Sequence, residues 1–293
     1  QEKSGRSTEE GARRPCSIGC AERKIPKSVS LSRKYGANGK TFHVPWSEGT
    51  DSTDRKNWDY WEDIQKIKEL VFTTKKDGEG TCLNEYGVFA RSHAAPSDKP
   101  WSAYLRQRHS MMVHDLEKDK IEIFGENLFA IHSIIYPRID EHFYVFAVRC
   151  IDQWLSWEEV EWWASVFDFK TVPVISKKFV TEFTEESLKS YVQTEMKRPS
   201  VFGSYDVVEN KPCSMEGIVF RNAEGFHVDS FVNNTFKIVR KSHVKTDEHW
   251  ERHWRRAYLR HEIEAYASAN SIVLPDDSAY MAVIETLRQR GKK

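Results

Sequence analysis

The sequence predicts an α+β chain, with antiparallel sheets flanked by helices and a helical C-terminal tail. Three observations carry this expectation. Short runs rich in β-branched and aromatic residues recur through the middle of the chain, at 71–74, 87–90, 120–124, 143–148 and 218–220. Stretches with helix-capping signals lie between several of them. Beyond Trp250 the pattern is helical to the end.

Residues 1–34 are rich in Ser, Gly, Glu, Lys and Arg with little apolar periodicity, and read as a poorly ordered extension. Trp58, Trp61, Ile64, Ile67 and Leu70 predict an amphipathic helix over 54–70. The run 71–74 then leads as a strand into Lys75, and Asp77-Gly78 signals a turn. Gly87-Val88-Phe89-Ala90 delivers Arg91, so the two runs read as a hairpin. A helix is expected over 104–118, then a strand ending at Gly125-Glu126, then a buried strand over 143–148. Ser156-Trp157-Glu158-Glu159 is a capping-box start for a helix to about residue 167, and Thr184 caps another containing Leu188, Tyr191 and Val192. Helices are expected from 250 to about 269 and over 277–289. The domain reading is an extension over 1–34, a main domain over 35–250 and a helical tail over 251–293.

With 44 basic and 44 acidic side chains the net charge is zero, so a nucleic-acid partner would need a local basic face. Arg252, Arg255, Arg256 and Arg260, at helical spacing, are either such a face or a solvated one. Five widely spaced cysteines suit a reducing, cytoplasmic setting, and Cys16 and Cys20 lack the second ligand pair of a zinc site. His243, His249, His253 and His261 read as a charged helix face rather than a metal site. No apolar run approaches membrane-spanning length.

Charged blocks occur in a fixed order: Lys75-Lys76-Asp77-Gly78, Ala90-Arg91-Ser92, Gly125-Glu126-Asn127, Glu216-Gly217-Ile218-Val219-Phe220-Arg221 and Lys237-Ile238-Val239-Arg240. Together they suit attack by a lysine on a nucleoside triphosphate. A lysine nucleophile must shed its proton, which burial or neighbouring cations promote. Lys237, Arg240 and Arg91 supply positive charge that also neutralises phosphates. Asp77, Glu126 and Glu216 are hard oxygen donors for a divalent cation, and a glutamate can also accept hydrogen bonds from ribose hydroxyls.

These blocks resemble the covalent nucleotidyltransferase superfamily of ATP-dependent ligases, and within it the nick-sealing RNA ligases. The stretch Lys237-Ile238-Val239-Arg240-Lys241-Ser242-His243-Val244-Lys245-Thr246-Asp247-Glu248-His249-Trp250 is similar to the last block of a bacterial family of this type, and the likeness spans 43–250. The resemblance implies a nucleotidyltransferase (ATP-grasp-like ligase) domain and an RNA ligase that uses ATP with Mg²⁺ or Mn²⁺. It makes Lys75 the acceptor of AMP, with Asp77, Glu126, Glu216 and Lys237 as the other catalytic groups. Nucleotide binding then falls to Thr74, Lys75, Arg91, Glu126, Phe146, Glu216, Lys237 and Arg240, with Phe146 stacking on adenine. Metal binding falls to Asp77, Glu126 and Glu216. Gly80 and Arg240 depart from the usual residues at their positions, and Arg240 keeps the charge with a different geometry. The implied partner is RNA with 3′-hydroxyl and 5′-phosphate ends, duplex or nicked, met by a monomer. A binding relative without chemistry and a guanylyl-transferring enzyme remain the alternatives.

Overall fold

The computed structural model describes residues 41–50, 52, 54–91, 95–241 and 250–290. The expected extension over 1–34, Cys16 and Cys20, and His243 and His249 lie outside the described residues.

Two antiparallel sheets dominate. The first has five strands in the order Phe42–His43, Thr235–Val239, Gly217–Asn222, Glu69–Lys75, Val174–Phe179; its outermost pair, the first two, is parallel. Strand alternation gives this sheet two unlike faces. Phe72, Phe220 and Phe236 are register partners, their rings stacked 5.5 Å apart in sequence across the sheet, and all three are fully buried. Leu70, Ile218 and Ile238 share that core with Tyr60, Ile64, Leu188 and Val192 from the helices Tyr60–Ile64 and Glu185–Met196. The opposite face therefore carries Thr73, Lys75, Val219, Arg221 and Lys237.

The second sheet runs in the order Phe226–His227, Gln153–Trp154, Phe143–Cys150, Ile121–Asn127, Glu79–Asn84, Gly87–Ala90, with Lys170–Thr171 paired beside Phe143–Cys150. Its outer face packs Leu83, Val88, Ile121, Ile123 and Val148 against the helices Ala103–Asp119 and Trp157–Val166. A third small sheet joins Ile134–Ile135, Tyr205–Asp206 and Lys211–Pro212.

The α+β expectation holds, and the helices over Ala103–Asp119, Trp157–Val166, Glu185–Met196 and Asp277–Arg290 match their sequence signals. Ser156 and Glu159 form the capping box, with Glu159 N–H donating to Ser156 Oγ at 3.3 Å and Ser156 N–H to Glu159 Oε2 at 2.9 Å. The helix expected over 54–70 shrinks to Tyr60–Ile64. Apolar residues spaced uniformly by three slip about 60° around a helix at each step, so no single face forms. Trp58 is 73% exposed, and Leu70 belongs to the strand that the β-branched run begins. The hairpin also changes partners. Glu79–Asn84, unread in the sequence, pairs with Gly87–Ala90, while Glu69–Lys75 goes to the other sheet. The strand expected to end at Gly125-Glu126 runs one residue further, over Ile121–Asn127. Past residue 250 a short 3₁₀ turn at Trp250–His253 replaces the expected long helix, and the α-helix begins at Arg260.

The C-terminal helices are built into the larger core: Ala257, Ile263, Ala267, Tyr280, Val283 and Ile284 join Ile131, Ile139 and Tyr144 there. Among the described residues no helix is long and apolar enough to cross a membrane. Truncating Ile263, which is fully buried, to alanine should cost about 2–5 kcal/mol, read as a lower urea midpoint for the whole molecule. A midpoint equal to that of the parent protein would mean these helices are not part of the cooperative core.

Candidate active site

A cavity of about 390 Å³ opens between the two sheets, within the size range of small-ligand sites. Its first wall is the polar face of the five-stranded sheet, which supplies Thr73, Lys75, Val219, Arg221, Thr235 and Lys237; Thr74 also lines it. Its second wall supplies Gly80, Arg91, Glu126 and Phe146. Six of the residues singled out in the sequence therefore meet here: Thr74, Lys75, Arg91, Glu126, Phe146 and Lys237.

Lys75 ends its strand opposite Gly217, in register with the residue that follows Glu216. Its Nζ lies 2.5 Å from Glu216 Oε1, and the Glu216 side chain is 3% exposed. Gly217 lies against the backbone of Ile238, so the glycine lets the two strands approach closely at this point. Phe146 owes its position to a β-bulge. The strand partners skip from Ala147 to Val145 opposite Phe124 and Gly125, leaving Phe146 as the extra residue and turning it into the cavity. Thr74 donates its backbone N–H to Pro173 O at 3.0 Å.

The electrostatics are those of a tightly packed set of opposite charges. Burial pushes Glu126 up to about 7; Glu216 and Asp77 add to this, while Lys75 and the Gly78 N–H oppose it. That N–H donates to Glu126 Oε1 at 3.0 Å. Burial, with Lys75 and Arg91, brings Lys237 down to about 8 against the pull of Asp54 and Glu216. Burial also lowers Lys75, but Glu216, Glu126 and Asp77 outweigh it and hold the amine above the ordinary lysine range.

Glu216, Asp77 and Arg240 do not line the cavity. Glu216 reaches it through Lys75. Asp77 turns to the chain that follows the strand of Glu126: its Oδ2 accepts from Ser133 N–H at 2.8 Å, Ser133 Oγ–H at 2.7 Å and Ile134 N–H at 2.9 Å. Arg240 is partly buried beside Asp206, with Nη2 3.6 Å from Oδ2. Among the described residues no cluster of three or more His, Cys, Asp or Glu is arranged to hold a metal. Among the cavity residues to which sequence reasoning gave no role in the site are Trp154, Trp157, Val172, Arg221 and Glu251. Arg221 donates from Nη2 to Leu155 O at 2.6 Å, and burial lowers its guanidinium to about 10.

A sequence model of the RNA ligase family matches residues 68–239, over half of the chain. The chain belongs to the RNA ligase family. Within the RNA ligase match fall both cavity walls, from Lys75 to Lys237. A comparison with curated proteins gives no match. Solved structures similar to it include Naegleria gruberi RNA ligase with PPi, at 18% identity and TM-score 0.45, covering 77% of this chain and 64% of that one. An apo mutant of the same ligase gives 18% and 0.46 over 73% and 62%, and a mutant with ATP and Mn gives 18% and 0.45 over 71% and 60%. The chain thus spans under two thirds of the length of these RNA ligase chains.

Lys76 stands next to Lys75 in this member of the RNA ligase family. It is 2% exposed, its Nζ donates to Ser200 Oγ at 2.5 Å, and it lies 4.1 Å from the Phe202 ring centroid and 5.0 Å from that of Tyr136. Burial lowers it to about 7, with Glu216 opposing. Because the folded value lies below the unfolded one, the unfolded chain binds more protons between about pH 7 and about pH 10.4, and the cost of burying the charge falls as pH rises through that window. The variant Lys76→Met should therefore gain stability relative to the parent at pH 6.5, with the gain shrinking by pH 9 in urea titrations. A difference independent of pH would place a neutral or solvated amine there at every pH.

Proposed function

We propose that this protein is an ATP-dependent RNA ligase that joins RNA 3′-hydroxyl and 5′-phosphate ends through AMP carried on Lys75, in RNA repair. The observation that carries the reading is the placement of Lys75. It is a lysine on a cavity wall within 2.5 Å of a buried carboxylate, in a chain of the RNA ligase family.

In this account the neutral Lys75 Nζ attacks the α-phosphorus of ATP. The new N–P bond forms as the P–O bond to pyrophosphate breaks, and Glu216 is placed to accept the proton lost by the amine. Lys237 and Arg91 offset the charge of the phosphates, and Phe146 presents an aromatic face to the base. The adenylyl group then passes to an RNA 5′-phosphate, and a 3′-hydroxyl displaces AMP to form the phosphodiester. The cavity does most of this by positioning and charge neutralisation.

Mg²⁺ or Mn²⁺ would supply further charge neutralisation on the phosphates. Glu126 lines the cavity and fits such an ion, because Mg²⁺ keeps several waters and takes only one or two protein carboxylates beside substrate phosphates. Glu216, by contrast, lies off the cavity with its Oε1 against Lys75 Nζ. Asp77 fits less well, its Oδ2 already accepting three hydrogen bonds.

For the RNA partner, Arg252 and Arg255 are exposed, whereas Arg256 pairs with Glu262 at 2.7 Å and Arg260 with Asp140 at 2.7 Å. The phosphate-facing reading of the arginine series therefore rests on the first two. The enzyme is read as a cytoplasmic monomer acting on duplex or nicked RNA.

Incubation with α-labelled ATP and a divalent cation should leave acid-stable label on the protein, and Lys75→Ala should remove it. Label from GTP and none from ATP would select guanylyl transfer; label from neither would select the binding relative. The pH profile carries the electrostatics. Glu126 becomes a carboxylate above about pH 7 and Lys237 loses its charge above about pH 8. The kcat/KM for ATP in label transfer should thus rise through the first value and fall through the second. Lys237→Arg should remove the falling limb. A flat profile from pH 6 to about pH 9 would separate these two groups from the reaction.

A further inference from the structure

The RNA ligase match ends at residue 239, yet Glu251 lines the cavity. The segment that brings it there is tied to the chain following Glu126. Ala257 N–H donates to Phe129 O at 2.8 Å and Ile131 N–H to Arg255 O at 2.9 Å, with an isolated bridge between Ala130 and Arg256. His142 Nε2 lies 3.0 Å from Ala257 O. Trp254 fits between the rings of Trp101, 5.7 Å away, and Phe129, 6.1 Å away. Trp101 in turn donates its Nε1–H to Glu79 Oε2 at 3.0 Å, and Glu79 is another cavity residue.

Glu251 is held by Lys99, 3.0 Å from its Oε2, with the two side chains 36% and 40% exposed. An ion pair this open contributes little to folding. Its consequence is directional: it fixes a carboxylate at the cavity rim. Trp154, Trp157 and Val172 give the cavity a buried apolar lining that suits a base. A carboxylate repels the triphosphate, so of the nucleotide's groups the ribose hydroxyls are the donors it can meet at the rim.

We propose that residues 251–257 complete the nucleotide cavity, with Glu251 accepting a hydrogen bond from a ribose hydroxyl of the bound nucleotide and Trp254 acting as the positioning residue that seats it. This rests on the cavity being the ATP site.

Binding without turnover tests it. In full-length protein carrying Lys75→Met, calorimetry with Mg²⁺ would compare ATP, 2′-deoxy-ATP and 3′-deoxy-ATP. Adding Glu251→Ala should weaken ATP about tenfold, as expected for a hydrogen bond to a charged group. The analogue lacking the contacted hydroxyl should bind equally with and without Glu251. Trp254→Ala should also weaken ATP; if that variant fails to fold by circular dichroism, Lys99→Met gives the same comparison through the ion pair. ATP affinity unchanged by Glu251→Ala overturns the proposal, as does an equal loss for all three nucleotides. Failure of the Lys75→Met parent to bind any of them would instead sink the ATP-site reading itself.

Discussion

The cavity depends on the facing of the five-stranded sheet. Phe72, Phe220 and Phe236 must be on the buried side, because their stacked rings form the middle of a core shared with two helices. Once they are there, alternation leaves no choice for their neighbours: Thr73, Val219 and Lys237 fall in one row on the other side, with Lys75 at its end. A one-residue slip of either lysine-bearing strand would turn its lysine to the side of the phenylalanines. The same register sets Lys75 opposite Gly217 and so beside Glu216, whose buried carboxylate holds the amine charged until a substrate changes the balance.

The second sheet contributes by irregularity as much as by regularity. The bulge opposite Phe124 and Gly125 frees Phe146 from the pleat. Asp77 ties the turn after Lys75 to Ser133 and Ile134, and Gly78 ties it to Glu126. A Cβ on Gly78 would stand 2.6 Å from Asn127 O, so that contact between the sheets needs glycine. Gly78 thereby joins the end of the lysine strand to the opposite sheet, and Asp77 joins it to the segment leading to Ile134–Ile135.

Much of this was legible in the sequence because chemistry and local signals coincided. The order of the lysine, arginine and glutamate blocks brought six residues to one cavity, and the caps at Ser156 and Thr184 marked helix starts. Long-range pairing was not legible. Nothing local shows that Glu69–Lys75 passes over its nearest strand to pair with Gly217–Asn222, or that Glu79–Asn84 takes its place in the hairpin. Arg240 could be counted as a basic residue near the phosphates, but only the fold shows it beside Asp206. The arginine series past Trp250 likewise looked like one helical face, whereas the chain there first runs extended along Phe129–Ile131 and uses two of its arginines in ion pairs.

The central claim is that this cavity delivers AMP to Lys75 and not to its neighbour. Both lysines line the cavity, and Lys76 has the lower proton affinity. Lys76 Nζ, however, is held on Ser200 Oγ against the rings of Phe202 and Tyr136, while Lys75 Nζ lies beside the Glu216 carboxylate that can take its proton. Peptide mapping by mass spectrometry after incubation with ATP and Mg²⁺ separates the two directly. The account predicts a single adenylyl group, on Lys75. The adduct on Lys76, or on a lysine outside the cavity, would contradict it.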